Sequence, residues 1–141
     1  MEVRASAEDY LEAILLLQRR MGVVRSVDVA QHLEVSKPSV CHAVASLRAK
    51  GFLRMDERRF LILTEAGRSV AEITLEKHQF FSAMLMEAGV DPKTAEKEAC
   101  RIEHAISTES FERLKRLKKE YTNHSTGGTA GKAGRRTYVP P

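Results

Sequence analysis

Two cysteines, Cys41 and Cys100, are too few for a disulfide framework. No apolar run has the length that a signal peptide or a membrane span requires. These two absences lead to the expectation of a cytoplasmic protein in a reducing compartment, with no membrane partner. No internal repeat is visible, which excludes a repeat array. Acidic residues are missing from two stretches, 35–55 and 122–141. The second also lacks any hydrophobic pattern and is rich in Gly, Ser, Thr and Ala, so a flexible basic tail is expected there.

What remains is enough to fold. The 141 residues are 43% hydrophobic, which allows one ordinary domain or two small ones with a real core. The formal net charge is +4; with three basic residues (Lys132, Arg135, Arg136) and no acid from Thr122 onward, residues 1–121 carry only +1. A DNA-binding face must therefore be local. The acid-free run 35–55 supplies one, with Lys37, Arg48, Lys50 and Arg54.

Helical periodicity places a first helix over 6–21, with Ser6 as N-cap, Asp9 in the capping-box position and Gly22 after the last turn. A short second helix is announced by Ser26 and ends near Val35. In SKPSVCHAVASLRAKG at 36–51, Ser36 caps the first turn and Pro38 sits within it. Val40, Val44 and Leu47 form the apolar stripe, and Gly51 ends the helix. Stretches 52–55 and 59–64 read as strands joined by the charged turn 56–58, which makes the hairpin a wing. Beyond Thr64, a second N-cap, three more helices are expected: a long one to Gly89, one from Asp91-Pro92 to about Ile106, and one from Ser107 or Thr108 to Tyr121. The fold class expected is mainly α, with a winged helix-turn-helix over 1–63, an all-helical region over 64–121 and the tail over 122–141.

A helix-turn-helix sets its second helix in the major groove, with residues near that helix's N-terminus at the bases and phosphates. Ser36, Lys37, Pro38, Ser39 and His42 are the residues expected to meet DNA, with Arg58 and Arg59 reaching out from the wing tip. One such unit binds weakly, so a homodimer on a palindromic double-stranded operator is expected. Phe80, Phe81, Met84, Leu85, Met86, Ile102, Ile106, Phe111 and Leu114 supply apolar surface for dimerisation or a second core.

CRIEHAIS at 100–107 places a thiol, a carboxylate and an imidazole on one helical face. Glu103 and His104 lie roughly 60° and 40° to either side of Cys100 on a regular helix. Asp9 and Glu12, three apart in EDYLE at 8–12, share a face of the first helix. His78 lies in the middle of the long helix. If these three helices pack together, their side chains form a metal site; singly, the acids are solvated helix residues, His78 an interhelical histidine and Cys100 a small core residue.

EDYLE at 8–12, VAQHL at 29–33, SVCHAV at 39–44, LTEAG at 63–67, KH at 77–78 and EACRIEH at 98–104 together resemble the diphtheria-toxin-repressor family of metal-dependent transcriptional regulators. The resemblance is to its short, manganese-transport-regulator-like branch and covers about residues 5–121. It implies a winged helix-turn-helix joined to a helical dimerisation domain, without a third, SH3-like domain, and a metal site where the two meet. Asp9, Glu12, His78, Glu103 and His104 match ligand positions of the manganese-sensing branch. Cys100 stands where that branch has a bridging carboxylate and the iron-sensing branch a cysteine. The iron branch is departed from at Asp9, where it has a methionine ligand, and at Ser82 and Glu96, where its ancillary site fails.

The resemblance thus implies a non-enzymatic repressor of metal-uptake genes, activated for operator binding by Fe²⁺ or Mn²⁺. Carboxylates suit these ions, while a thiolate admits Co²⁺ or Zn²⁺. Two other readings compete: a metal-independent winged-helix regulator with an organic effector, and a small metalloenzyme using Cys100, Glu103 and His104. The second leaves the helix-turn-helix unexplained, and no general base or substrate pocket can be named for it.

Overall fold

The computed structural model of the chain describes residues 6–126. Among them the order is α1 (Ala7–Met21), α2 (Ser26–Leu33), α3 (Lys37–Ala49), β1 (Leu53–Met55), β2 (Leu61–Leu63), α4 (Glu65–Glu87), α5 (Pro92–Ala105) and α6 (Thr108–Thr126). The mainly helical class and the winged helix-turn-helix are as the sequence pattern predicts. No helix among the described residues is long and apolar enough to cross a membrane.

Local chemistry sets the helix starts. The Ser6 hydroxyl accepts from the Asp9 amide at 3.2 Å, and the Asp9 carboxylate accepts from the Ser6 amide at 2.8 Å, a complete capping box. The start of α2 differs from expectation: Arg25 is the N-cap, and its amide donates to Asp28 at 2.9 Å, so Ser26 is already helical. Asp28 can serve the amide three residues back, and that reciprocal bond moves the cap by one position. Glu34, left-handed at φ 55°, closes α2 and turns the chain into the Ser36 cap of α3.

The wing is shorter than the apolar stretches that announce it. Leu53 pairs with Leu63, Arg54 with Ile62 and Met55 with Leu61. Arg59, expected in the second strand, belongs to the turn, because its φ of 65° is incompatible with strand geometry. The Asp56 carboxylate builds that turn by accepting from the amides of Arg58 and Phe60, both at 2.9 Å. The Leu61 amide donates to the Val24 carbonyl at 2.7 Å, tying the wing to the loop after α1.

One core joins these parts. Leu11, Ile14 and Leu15 of α1 are no more than 1% exposed. They cluster with Val29, Val40, Val44 and Leu47 of α2 and α3, Leu53, Leu61 and Leu63 of the wing, and Ala71 and Leu75 of α4. Each buried aliphatic side chain contributes about 1.5–3 kcal/mol. Only part of the apolar pattern of α4 is used: Leu75 and Phe81 are buried, whereas Ile73, Met84 and Met86 lie exposed. α4 packs against α1 and α5, and Ile73, Met84 and Met86 stay open to water.

The described residues divide between two compact units, split after Ala105. In the second, the Ser107 hydroxyl accepts from the Ser110 amide at 3.1 Å at the start of α6, and Lys115 sits 5.0 Å above the Phe111 ring. α6 runs on to Thr126 instead of stopping at Tyr121, with the Thr122 hydroxyl donating to the Lys118 carbonyl. The rest of the expected tail, with Lys132, Arg135 and Arg136, lies outside the described residues.

α4 is seated on the wing through its first turn. The Thr64 hydroxyl donates to the Gly51 carbonyl at 2.6 Å and accepts from the Gly67 amide at 3.2 Å. A Cβ at Gly67 would fall 2.0 Å from the Phe52 carbonyl oxygen, a backbone atom that cannot swing away. Gly67→Ala is therefore expected to destabilise the protein by about 2–3 kcal/mol, as overpacking against backbone does. Urea unfolding with an unchanged slope measures it; a loss below about 0.5 kcal/mol would mean that α4 does not need this close approach.

Candidate metal centre

Within the first unit, the side chains of α1, α4 and α5 converge on one acidic place. Asp9, Cys100, Glu103 and His104 each offer a donor atom, all within 4.8 Å of one another, and so do Glu12, His78 and Glu103. All six residues expected at a metal site are thus brought together, in two overlapping groups. Glu103 is common to both.

Periodicity puts Glu103 one turn after Cys100 on α5, and its side chain is only 1% exposed. Its two oxygens face different histidines: Oε2 accepts from His78 Nδ1 at 2.8 Å, and Oε1 lies 3.3 Å from His104 Nε2. Asp9 is aimed by its own capping box. With Oδ2 held by the Ser6 amide, Oδ1 accepts from His104 Nε2 at 2.7 Å and lies 3.8 Å from the Cys100 sulfur.

Two further carboxylates stand outside the groups. Glu96 accepts from His78 Nε2 at 2.7 Å and from the Ser82 hydroxyl at 3.2 Å. Glu8 accepts from His104 Nδ1 at 3.0 Å. The sequence pattern does not reveal these roles. Glu8 reads as one more acid in the first turn of α1, and Glu96 as a departure from an ancillary site.

The electrostatics follow from crowding acids around buried groups. Burial, then the Glu103 charge, pushes the Glu12 carboxyl up to about 7. The bond to Glu103 outweighs burial and, with Glu96, lifts His78 to about 9. Burial, then Asp9, Glu103 and Glu12, pushes the Cys100 thiol up to about 12. Burial opposes charge on His104, but its bonds to Glu8 and Asp9 prevail and raise it. Every shift favours holding a proton, which is how a confined set of anions balances itself.

The donor set fits a divalent transition metal. It combines hard carboxylates with two imidazoles and one thiol, and Glu12 Oε2 is buried with no hydrogen-bond partner among the described residues. An acceptor left unsatisfied beside two further carboxylates and two histidines is what a cation would complete.

The residues expected to meet DNA lie elsewhere in the same unit. Ser36, Lys37, Pro38, Ser39 and His42 are all exposed at the start of α3, and Arg58 and Arg59 are exposed in the wing turn. The first turn of α3 carries no acid, so its positive end is not neutralised from within. An open groove of about 600 Å³ between the C-terminal half of α3 and the wing is lined in part by Arg48 and Arg54.

Comparison with known proteins bears on both sites. Residues 2–61 match the N-terminal DNA-binding domain of iron-dependent repressors, and residues 64–129 match the metal-binding and dimerisation domain of the same proteins. The transcriptional regulator MntR of Escherichia coli O157:H7 is 35% identical over 109 residues, covering 77% of this chain and 70% of that protein. The solved structure of the manganese regulator SloR superposes with a TM-score of 0.75 at 26% identity, over 83% of this chain. The T. acidophilum IdeR structure gives 0.71 at 27%, over 82%. The chain spans 55% of the length of each of these two structures.

Proton holding at the centre has a consequence for stability. Glu12 binds its proton more tightly folded, at about 7 against an ordinary 4.5, and His78 does so at about 9 against 6.5. Unfolding then releases protons, so stability falls as pH rises, between about 4.5 and 7 for Glu12 and between 6.5 and about 9 for His78. With solvent screening allowed for, the metal-free protein should lose about 1–2 kcal/mol between pH 5 and 9. That is roughly 5–10 °C in Tm, measured by thermal melts in chelator. A Tm that rises across this window would contradict the proton balance.

Proposed function

The chain belongs to the iron-dependent repressor family, and from that premise we propose that it is a metal-responsive transcriptional regulator binding a palindromic DNA operator as a homodimer. The observation that carries the reading is the meeting of Asp9 and Glu12, from the helix at the centre of the winged domain, with His78, Cys100, Glu103 and His104 from α4 and α5. In this reading residues 1–63 read DNA, residues 64–121 hold metal and dimerise, and the basic segment 122–141 adds phosphate attraction. The two matched domains support that division. The exposed Ile73, Met84 and Met86 of α4 suit a dimer surface. A cytoplasmic location and the absence of an enzymatic role belong to the same reading, supported by likeness to transcriptional regulators.

Asp9, Cys100, Glu103 and His104 would hold one ion, and Glu12, His78 and Glu103 a second. A divalent cation supplies positive charge that these anions otherwise take from protons. Asp9 and Glu12 then bind α1 to α4 and α5, so the ordering cost of the reading heads is met before DNA arrives. The coupling is reciprocal: DNA tightens metal binding by the same factor. Cys100 sets the metal preference. Fe²⁺ or Mn²⁺ suits the oxygen-rich set, with Co²⁺ and Zn²⁺ favoured by the thiolate.

Selection from a randomised double-stranded DNA pool, with Mn²⁺, Fe²⁺, Co²⁺ or Zn²⁺ and in parallel with chelator, tests the reading. A palindromic site enriched only with metal is expected; enrichment unaffected by chelator sinks the metal switch and favours an organic effector. Lys37→Ala should weaken binding to that site and reduce the slope of log K against log salt by about one per Lys37 removed, with metal affinity unchanged. Full retained affinity would move the reading surface away from α3. Cys100→Ser should shift relative affinity toward Mn²⁺ over Zn²⁺ by roughly tenfold or more in metal titrations. An unchanged preference and stoichiometry would make Cys100 a packing residue.

A further inference from the structure

We propose that Glu96 and Glu8 are positioning residues that select which ring nitrogen of His78 and of His104 is presented to the metal-binding groups. The inference rests on the metal-responsive reading above. A neutral imidazole carries its proton on either nitrogen, and only the bare one can ligate. Which one is bare is set by the hydrogen bond the other makes.

The two histidines are turned opposite ways. His78 points Nδ1 inward, 2.8 Å from Glu103, and Nε2 outward, 2.7 Å from Glu96. His104 points Nε2 inward, 2.7 Å from Asp9 and 3.3 Å from Glu103, and Nδ1 outward, 3.0 Å from Glu8. Neither Glu8 nor Glu96 belongs to the two groups whose donor atoms gather within 4.8 Å. Glu96 is committed outward on both oxygens, one to His78 and the other to the Ser82 hydroxyl. Without an ion the inward nitrogens also donate, to Glu103 and to Asp9. Where an ion displaces those inward protons, Glu96 would keep the proton on His78 Nε2 and leave Nδ1 bare, and Glu8 would keep it on His104 Nδ1 and leave Nε2 bare. A carboxylate in this place also makes the bare nitrogen a stronger donor.

Their locations differ in consequence. The Glu96 bond joins α5 to α4, whereas the Glu8 bond joins α1 of the winged domain to α5. His104 is thus gripped by the neighbouring residues Glu8 and Asp9 on its two nitrogens. Side-chain exposures of 59% for Glu96 and 46% for Glu8 put both at the rim, where water competes, so the smaller end of the usual outer-layer effect applies.

The test uses the full chain with Zn²⁺, a diamagnetic probe, and reads tautomers from long-range proton–nitrogen correlations of the imidazoles, alongside Zn²⁺ affinity. Zn²⁺ on Nδ1 of His78 and on Nε2 of His104 is expected. Glu96→Ala should weaken Zn²⁺ binding by about tenfold and scramble the His78 tautomer while leaving His104 unchanged. Glu8→Ala should do the converse, and Glu96→Gln, which keeps an acceptor, should restore the His78 tautomer. Opposite tautomers in the unsubstituted protein, or alanine variants with unaltered tautomers and affinity, overturn the inference. So does a lowered Tm of the metal-free variants without any tautomer change, which assigns the two residues a purely structural role. Failure of the unsubstituted chain to bind Zn²⁺, Mn²⁺ or Fe²⁺ overturns the metal-responsive reading itself, and this inference with it.

Discussion

A carboxylate withdrawn from water governs this molecule. Glu103 is all but inaccessible, and burying such a group costs several kcal/mol unless it is paired. It is paired twice, with His78 and with His104, and around it stand Asp9, Glu12 and Cys100. α4 and α5 can close on α1 only if something positive enters with these anions. In the bare protein, protons on the imidazoles and partly on Glu12 fill that need. A divalent cation would do so with greater charge and fixed direction, and proton and metal would then compete for one place.

α1 carries this constraint to the DNA-reading parts. Its N-terminal half presents Asp9 and Glu12 to the centre, while Leu11, Ile14 and Leu15 anchor the core shared by α2, α3 and the wing. α4 closes the circuit from the other side. Its first turn is locked to the wing through Thr64 and Gly67, and His78, farther along the same helix, reaches Glu103. Two rigid helices thus connect the acidic centre to the wing and the reading helix. Charge balance at the centre and the placement of those elements are settled by the same contacts.

How much of this was legible in the residues alone depended on the range of the interaction. The Ser6–Asp9 box, the Ser36 cap and the Val40, Val44 and Leu47 stripe are local, and the structure follows them. The apolar neighbours of Arg59 suggest strand, but Asp56 takes the amides of Arg58 and Phe60 and draws it into the turn. The exposure of Ile73 and Met84 was hidden, because an apolar stripe does not say how wide a neighbour will cover it. Glu8 and Glu96 were hidden for a related reason: an exposed helical glutamate looks the same whether it faces water or backs a histidine.

Periodicity placed Cys100, Glu103 and His104 on one face of a helix, and Asp9 and Glu12 on one face of another, and the short motifs supplied the DNA-reading module. A residue's direction about its own helix axis is fixed by 100° per residue, whatever surrounds the helix. The separation of two side chains on different helices is set by how those helices cross, and no local string encodes it. Only the tertiary structure, therefore, decided that Glu103 is shared between the two groups, that Glu12 Oε2 has no hydrogen-bond partner among the described residues, and that the two histidines face the centre through different nitrogens.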